Sequence, residues 1–437
     1  MTDPQQVHDV TGIGFGPSNL ALAIALREKA QQGASILDAV FLESKPAFAW
    51  HPDMLLDNSD MQVSFIKDLV TLRNPASPFS FLSYLHAKGR LERFVNRKSF
   101  FPSRHEFNDY FAWAAEQMGG ICAYDQHVIG VEPVQARGDS VDLLAVIAQD
   151  SKGEQTRRLT RNLVLAVGGK PSVPEVFAEV QDTAEVVHSS AYLSTVKPRL
   201  AAADKPMKIA VIGSGQSGAE IFNDLANDPA RPEVDFIFRS HALKPSDDSP
   251  FVNEIFNADF TSYVYQQPPA RRRALMEEYS NTNYSVVDGD LIAQIYGLFY
   301  EQDVTGGSAY GLLRSTQVTA AKAQGGRIAL TLCPAHGGNA ETRSYDLVVL
   351  ATGYQRRIGE TLLSGLNDYV SGRETGRTYQ LATAERFRPR IFLQGYCEET
   401  HGLSDTLLSV LAVRVDEIAN ELLAPRQDTE ARLTAAE

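Results

Sequence analysis

The sequence predicts an α/β protein with two parallel-sheet domains and a small, mainly helical segment. Two glycine-rich turns, each set between an apolar strand and a helix, and two later apolar strands that end in glycine predict it. The first turn follows a strand at Asp9–Gly12 and reads Gly14-Phe-Gly16-Pro17-Ser18-Asn19. It leads into Leu20–Leu26, apolar on every side and so a buried helix. The next strand, Ala39–Glu43, ends on an acid. The second turn follows Lys208–Ile212 and reads Gly213-Ser-Gly215-Gln216-Ser217-Gly218, before a helix with Ala219, Phe222, Leu225 and Ala226 at helical spacing. Its next strand, Asp235–Phe238, ends on Arg239.

Of the later strands, Asn162–Val167 runs into Gly168-Gly169 and Tyr345–Ala351 into Thr352-Gly353-Tyr354. The Gly337-Gly338 turn and the polar stretch Asn339–Arg343 mark the exit from an inserted domain. The expected division is a first domain over 1–204 and 341–437, with a second inserted over 205–340 that carries the helical segment near 245–300. No repeat is visible beyond the two strand–turn–helix openings, and the polar tail after Ala424 is a candidate for disorder.

Bulk composition narrows the functional classes. The 437 residues are 43% hydrophobic and 22% charged, the balance of a globular protein with room for two or three domains. A net charge of −13 offers no basic face to nucleic acid and would repel an anionic membrane. Cys122, Cys333 and Cys397 form no CxxC, which argues against a dithiol centre or a cysteine-rich metal site, and no metal is expected. The N-terminal stretch lacks a signal peptide's basic and apolar regions, and no apolar run approaches the length of a membrane span. These features predict a cytoplasmic protein.

A glycine-rich turn between strand and helix lets backbone approach a pyrophosphate, while the helix N-terminus offers free N–H groups and a positive dipole end. One such turn is a weak signal; two, about 200 residues apart and both correctly placed, point to two Rossmann-like dinucleotide-binding domains. In the first, Asn19 replaces the third glycine, and Glu43, 29 residues after Gly14, can accept from two ribose hydroxyls. That suits the adenosine end of FAD. In the second, Arg239 stands where an acid would repel a 2′-phosphate, which favours NADPH over NADH. A surface arginine without a ligand is the alternative.

The sequence further resembles the microbial N-hydroxylating flavin monooxygenases, which act on ornithine or lysine for siderophore synthesis. The carriers are GIGFGPSNLALAIAL at 12–26, AWHPDMLL at 49–56, MQVSFIKDLVTLRNPASPFSFLSYL at 61–85, FPSRHEFNDYFAWA at 101–114, SPFVNEIFN at 249–257, NTNYSVV at 281–287, ATGY at 351–354 and HGLSDTLLSVLAVR at 401–414. The last block looks more like the ornithine branch. His188-Ser-Ser-Ala-Tyr192 resembles half of the signature that broader flavin monooxygenases carry, but the full Phe-x-Gly-x-x-x-His form of a Baeyer–Villiger oxygenase is absent. The resemblance implies NADPH-driven flavin reduction, oxygen addition to give a C4a-hydroperoxide, and attack by the neutral side-chain amine of L-ornithine, giving N5-hydroxyornithine for a hydroxamate siderophore. It also implies a homo-oligomer, a tetramer or a dimer.

Residue roles follow from the same resemblance. Gly14, Gly16, Pro17, Ser18, Asn19 and Glu43 hold FAD, with Trp50, His51, Met61, Gln62, Arg104 and Leu408 around it. Met61 and Gln62 lie beside the isoalloxazine. Gly213, Gly215, Gln216, Ser217, Gly218, Arg239, Tyr284, Ala351, Thr352 and Gly353 serve NADPH. Lys67, Asn253, Asn283 and Ser409 bind substrate, with Lys67 for the α-carboxylate. No protein nucleophile is needed; Gln62 and Asn283 position. The bland readings are core packing for Trp50, a structural histidine for His51, turn or cap roles for Asn253 and Asn283, and an ion pair with Asp68 or another acid for Lys67. Lysine N6-hydroxylation differs by one methylene, worth only about 1–3 kcal/mol of discrimination. A diamine such as putrescine or cadaverine has no carboxylate for Lys67. A disulfide reductase would need a cysteine pair that the spacing does not offer, and a non-catalytic redox sensor would not need segment 249–287.

Overall fold

Short apolar runs closed by glycine cannot complete a helix, and here they form the strands of two parallel sheets. The computed structural model describes residues 6–135, 140–356, 362–370 and 374–425, so the tail from 426 lies outside the described residues. The first sheet has the order Arg390–Leu393, Asn162–Leu165, Val10–Ile13, Ala39–Leu42, Cys122–Ala123, all parallel. The second has the order Val186–His188, Leu347–Leu350, Lys208–Ile212, Glu233–Ile237, Tyr310–Leu313, again all parallel. Each is the expected doubly wound unit.

The likeness between the units goes further than the two openings. In the first, antiparallel strands His127–Gln135, Val141–Gln149 and Gln155–Thr160 intervene before the chain re-enters the sheet at Asn162. In the second, Thr316–Gln324, Arg327–Pro334 and Glu341–Tyr345 do the same before Leu347. The strand expected over Tyr345–Ala351 is Leu347–Leu350, and Tyr345 is the last residue of the strand before it. Glu341–Tyr345 closes the antiparallel sheet, and Leu347–Leu350 joins the second parallel sheet beside Lys208–Ile212. By hydrogen bonding the inserted unit extends from Val186 to Leu350, wider than the expected 205–340. An apolar run shows that a strand is buried, but not which sheet receives it.

The helices after the glycine turns start earlier than apolarity suggests. α1 spans Pro17–Gln31, so Pro17, Ser18 and Asn19 are its first turn; proline suits that position because its φ is already helical and it has no N–H to satisfy. Leu20 to Ile24 are at most 1% exposed, as an all-apolar helix requires. α2 spans Gln216–Ala226. Two crossings join the units, and they pair with each other: Lys170–Pro171 lies antiparallel to Tyr354–Gln355. The helices Pro250–Asn253, Ala258–Gln266 and Pro269–Tyr279 lead to α3, Gly289–Thr305. Ile255 and Phe256 pack on Leu403 and Leu407, so this segment covers the C-terminal part of the first unit.

The third position of each glycine turn acts on the carbonyl of the first. A Cβ on Gly218 would stand 2.2 Å from the Gly213 carbonyl oxygen, so only glycine fits. At the equivalent place Asn19 donates its Nδ2–H to the Gly14 oxygen at 2.7 Å. Each turn also abuts a strand end: a Cβ on Gly14 would meet the Ala166 oxygen at 2.6 Å, and one on Gly213 the Ala351 oxygen at 2.2 Å. Gly218→Ala is accordingly expected to cost about 1–3 kcal/mol, read as a lower urea midpoint. Gly16→Ala, where an added Cβ meets nothing within 4 Å, should leave the midpoint of the cofactor-free protein unchanged.

Candidate active site

At the first turn, Asn19 is fully buried. Besides Gly14 it donates to the Ile13 oxygen at 3.3 Å and accepts from Gln394 Nε2 at 2.9 Å. Its side chain therefore braces the loop, and any contact it makes with a cofactor would come through its backbone. The N–H groups of the first turn of α1 have no intrahelical acceptor and remain for an anion. Glu43 Oε2 accepts from Phe15 N–H at 2.8 Å and Oε1 from Lys45 N–H at 3.0 Å. Burial pushes its carboxyl up, but those donors and the Lys45 charge win and hold it below the ordinary range. An ionised carboxylate at the end of the second strand, beside the glycine turn, matches what a ribose diol requires.

Behind Ser18 stands Arg414, 2% exposed, which donates to the Ser18 hydroxyl at 3.1 Å and pairs with Asp405 at 3.2 Å. Trp50 packs edge-on against Phe111 at 5.3 Å, and His51 against Tyr354 at 6.1 Å. His51 takes a left-handed backbone conformation (φ 46°). The residue is exposed at its surface, yet loss of hydration from the atoms packed around its ring, then the charges of Arg104, Arg356 and Lys45, bring its pKa down to about 4. Met61 is buried, and Leu408 packs on the core of the first unit.

The second turn opens onto a cleft of about 1490 Å³. Gly213, Gly215, Gln216 and Ser217 line it with Arg239, Asn283, Tyr284, Ala351, Thr352 and Gly353. Gly218 stands behind, against the Gly213 carbonyl. Arg239 is exposed at the end of Glu233–Ile237 and forms no ion pair among the described residues. Tyr284 reaches across to Glu398, donating its hydroxyl to Oε2 at 2.5 Å; burial, then that carboxylate, pushes the phenol well above its ordinary pKa.

Lys67 is half-buried, and its ammonium sits 6.0 Å from the Phe256 ring centroid. Asp68 is not its partner. That carboxylate accepts from the N–H groups of Val70, Thr71 and Phe81 and from the Thr71 hydroxyl, at 2.6 to 2.9 Å. Desolvation lowers the Lys67 pKa, and no described acid lies within ion-pair distance of it. Phe256 belongs to an apolar cluster on which Leu407, a residue of the cleft lining, also packs. Asn253, three residues before Phe256, ends its short helix with Nδ2 on the Asp248 oxygen at 2.6 Å. Ser409 is buried two residues beyond Leu407.

The Arg104 side chain has a partner within the protein. It grips Glu220 of α2 at 2.8 and 2.6 Å, joining the two units. The Gln216 amide is likewise taken up, by Glu220 and Asp288, at 2.8 and 2.9 Å. Burial pushes the Glu220 carboxyl up, opposed by Arg104 and Gln216 and reinforced by the Asp288 charge. Glu220, Asp288, Arg356 and Glu398 were not singled out from the sequence. Glu220 could have been: an acid between Ala219 and Phe222, on the apolar face of α2, needs a partner.

The profile of the L-lysine 6-monooxygenase/L-ornithine 5-monooxygenase family matches residues 6–356. An L-ornithine N5-monooxygenase of Pseudomonas aeruginosa is 47% identical over 417 residues, 95% of this chain and 94% of that protein. The solved structure of an ornithine hydroxylase from Pseudomonas aeruginosa superposes with a TM-score of 0.92 at 46% identity, covering 96% of this chain and 99% of that one. An ornithine N-hydroxylase of Kutzneria sp. 744, solved with reduced FAD, NADP+ and L-ornithine, gives 0.88 at 36% identity, covering 95% and 99%.

Removing Glu220 would leave the Arg104 guanidinium buried and unpaired. Glu220→Ala is expected to destabilise the protein by about 3–5 kcal/mol, measured by denaturant unfolding. A loss under about 1 kcal/mol, the value of an exposed pair, would show that the ion pair does not hold the units together.

Proposed function

This chain belongs to the L-lysine 6-monooxygenase/L-ornithine 5-monooxygenase family, and on that premise we propose that it uses FAD and NADPH to hydroxylate the side-chain amine of L-ornithine at N5. The residues present fit both cofactors. Gly16 leaves open space beside the first turn, Glu43 stays ionised for a ribose, and Arg239 is uncompensated at the rim of the second turn. FAD would supply oxygen activation there and NADPH the hydride. The observation that carries the substrate assignment is the Lys67 ammonium, desolvated and without an acid partner among the described residues, beside Phe256. A cation in that state suits an α-carboxylate.

In this reading Lys67, Asn253, Asn283 and Ser409 hold the amino acid, and Asn283 turns its amine toward the flavin. The reacting amine must lose its proton, and a pocket that desolvates it lowers its pKa from about 10.4. Acceptors near Asn283 then take its remaining hydrogens. The product, N5-hydroxyornithine, suits hydroxamate siderophore synthesis. A cytoplasmic location, supported by three free cysteines, and a dimeric or tetrameric assembly belong to the same proposal. Among the described residues no helix is long and apolar enough to cross a membrane.

The deciding experiment measures oxygen uptake and hydroxylamine formation with the purified FAD-loaded enzyme, NADPH and each of ornithine, lysine, putrescine and cadaverine. Hydroxylated ornithine as the main product supports the reading; preference for lysine or a diamine replaces it.

Lys67→Ala should raise the ornithine KM about 10–100-fold, the loss of a charged hydrogen bond, while flavin reduction by NADPH persists. Because desolvation lowers the Lys67 pKa, kcat/KM for ornithine should fall on the alkaline side earlier than ordinary lysine dictates, and Lys67→Arg should move that limb upward. On the acid side the rate must rise as the amine deprotonates; a flat profile would contradict the mechanism. Arg239→Ala should raise the NADPH KM about 10–100-fold and leave that for NADH unchanged.

A further inference from the structure

Polar side chains of both units close a ring. Gln62 Nε2 donates to Asp288 Oδ1 at 3.0 Å, and Gln216 Nε2 donates to Asp288 Oδ2 at 2.9 Å. Gln216 Nε2 also donates to Glu220, which grips Arg104. Backbone completes the circuit: Arg104 N–H donates to the Ser59 oxygen at 2.9 Å and Met61 N–H to the Pro102 oxygen at 2.8 Å. Gln62 and Arg104 belong to the first unit, while Gln216 and Glu220 lie on α2 of the second.

The two glutamines are held very differently. Gln216 has no choice of orientation, because its oxygen accepts the Asp288 N–H at 2.9 Å while its nitrogen serves two carboxylates. Turning it over would set its oxygen against both acids. Gln62 is exposed, and among the described residues its side chain hydrogen-bonds to Asp288 alone. A carboxylate has only acceptors, so it can bind only the nitrogen end of that amide. The oxygen end is thereby left outward.

We propose that Asp288 is a positioning residue that fixes the Gln62 amide with its nitrogen inward and its carbonyl oxygen presented to the space beside the flavin. The inference rests on the reading above, in which Gln62 borders that cofactor. It also ties the orientation of Gln62 to α2, the helix of the second nucleotide turn, through Gln216. Asp288 begins α3, yet its side chain makes no capping hydrogen bond, so the helix start does not require the carboxylate.

The chemistry of substitution is specific. Asp288→Asn turns one acceptor into a donor. Gln216 cannot turn over, so the new amide keeps its oxygen toward Gln216 and puts its nitrogen toward position 62. Gln62 must then flip and offer a donor outward. Gln62→Glu alone sets two carboxylates about 3 Å apart; they must share a proton, with Glu220 and Arg104 as the other charged groups of the ring. In the double variant the carboxylate at 62 accepts from the amide at 288 and still presents an oxygen outward.

The test uses the FAD-loaded enzyme and reads flavin reduction by NADPH in single turnovers across pH, with NADP+ affinity titrated by flavin absorbance. Asp288→Asn should slow flavin reduction about tenfold and change NADP+ affinity, with FAD content kept, as expected for loss of one hydrogen bond. Gln62→Glu should acquire a new pH dependence, its rate falling as the shared proton is lost. The double variant should recover most of the rate and lose that dependence. Wild-type behaviour of Asp288→Asn, a Gln62→Glu profile without the new limb, or a double variant no better than the single would each overturn the proposal. Should Asp288→Asn fail to retain FAD, the Gln62→Glu profile alone decides. An enzyme that follows this pattern but does not hydroxylate ornithine would refute the substrate reading and leave Asp288 in its role.

Discussion

Arg104 and Glu220 come from different nucleotide units, and neither could remain buried without the other. A lone guanidinium or carboxylate in that place would lose several kcal/mol of hydration with nothing in return. Their two hydrogen bonds therefore do more than add stability. They fix where the second glycine turn stands relative to the first, because Glu220 lies one helical turn beyond Gln216. The cleft, the reach of Tyr284 to Glu398 and the contact between Gln62 and Asp288 all assume that placement.

The fold was legible where backbone constraint writes itself into residue type. Gly213 and Gly218 stand where a Cβ would strike backbone oxygen, and the apolar runs beside them are strands because nothing polar interrupts them. What could not be read was the extent of the likeness between the units. The antiparallel strands His127–Gln135 and Thr316–Gln324 occupy equivalent places, but their outer faces are solvated and free to differ. Alternation marks such segments as strands without revealing their kinship. Nor does the apolar run after Tyr345 say which sheet receives it: Leu347–Leu350 joins the second parallel sheet, beside Lys208–Ile212.

The site was legible to a different degree. Lys67 is named by the family resemblance, and residue type adds that an ammonium among Phe65, Ile66 and Leu69 must be compensated or meet a ligand; the engagement of Asp68 with backbone N–H groups removes its nearest compensation. Asn19 stands out as an irregular third position, and its side chain braces the loop that presents the backbone. The acids that the Arg104 and Gln216 side chains bind, Glu220 and Asp288, are another matter. Both are remote in sequence from Arg104 and Gln62, and no spacing rule links them. Only the meeting of the two units does.

The chain passes between those units twice, at Lys170–Pro171 and at Tyr354–Gln355, and the two passages lie side by side as a paired ribbon. Ser172 N–H donates to the Gly353 oxygen at 2.9 Å, which ties the outgoing strand to the returning one. Sliding one passage past the other would break that ladder, whereas twisting both together would not. A swing of one nucleotide unit that kept this ladder intact would therefore twist both passages together, and would pull on the glutamine–aspartate contact that spans the seam.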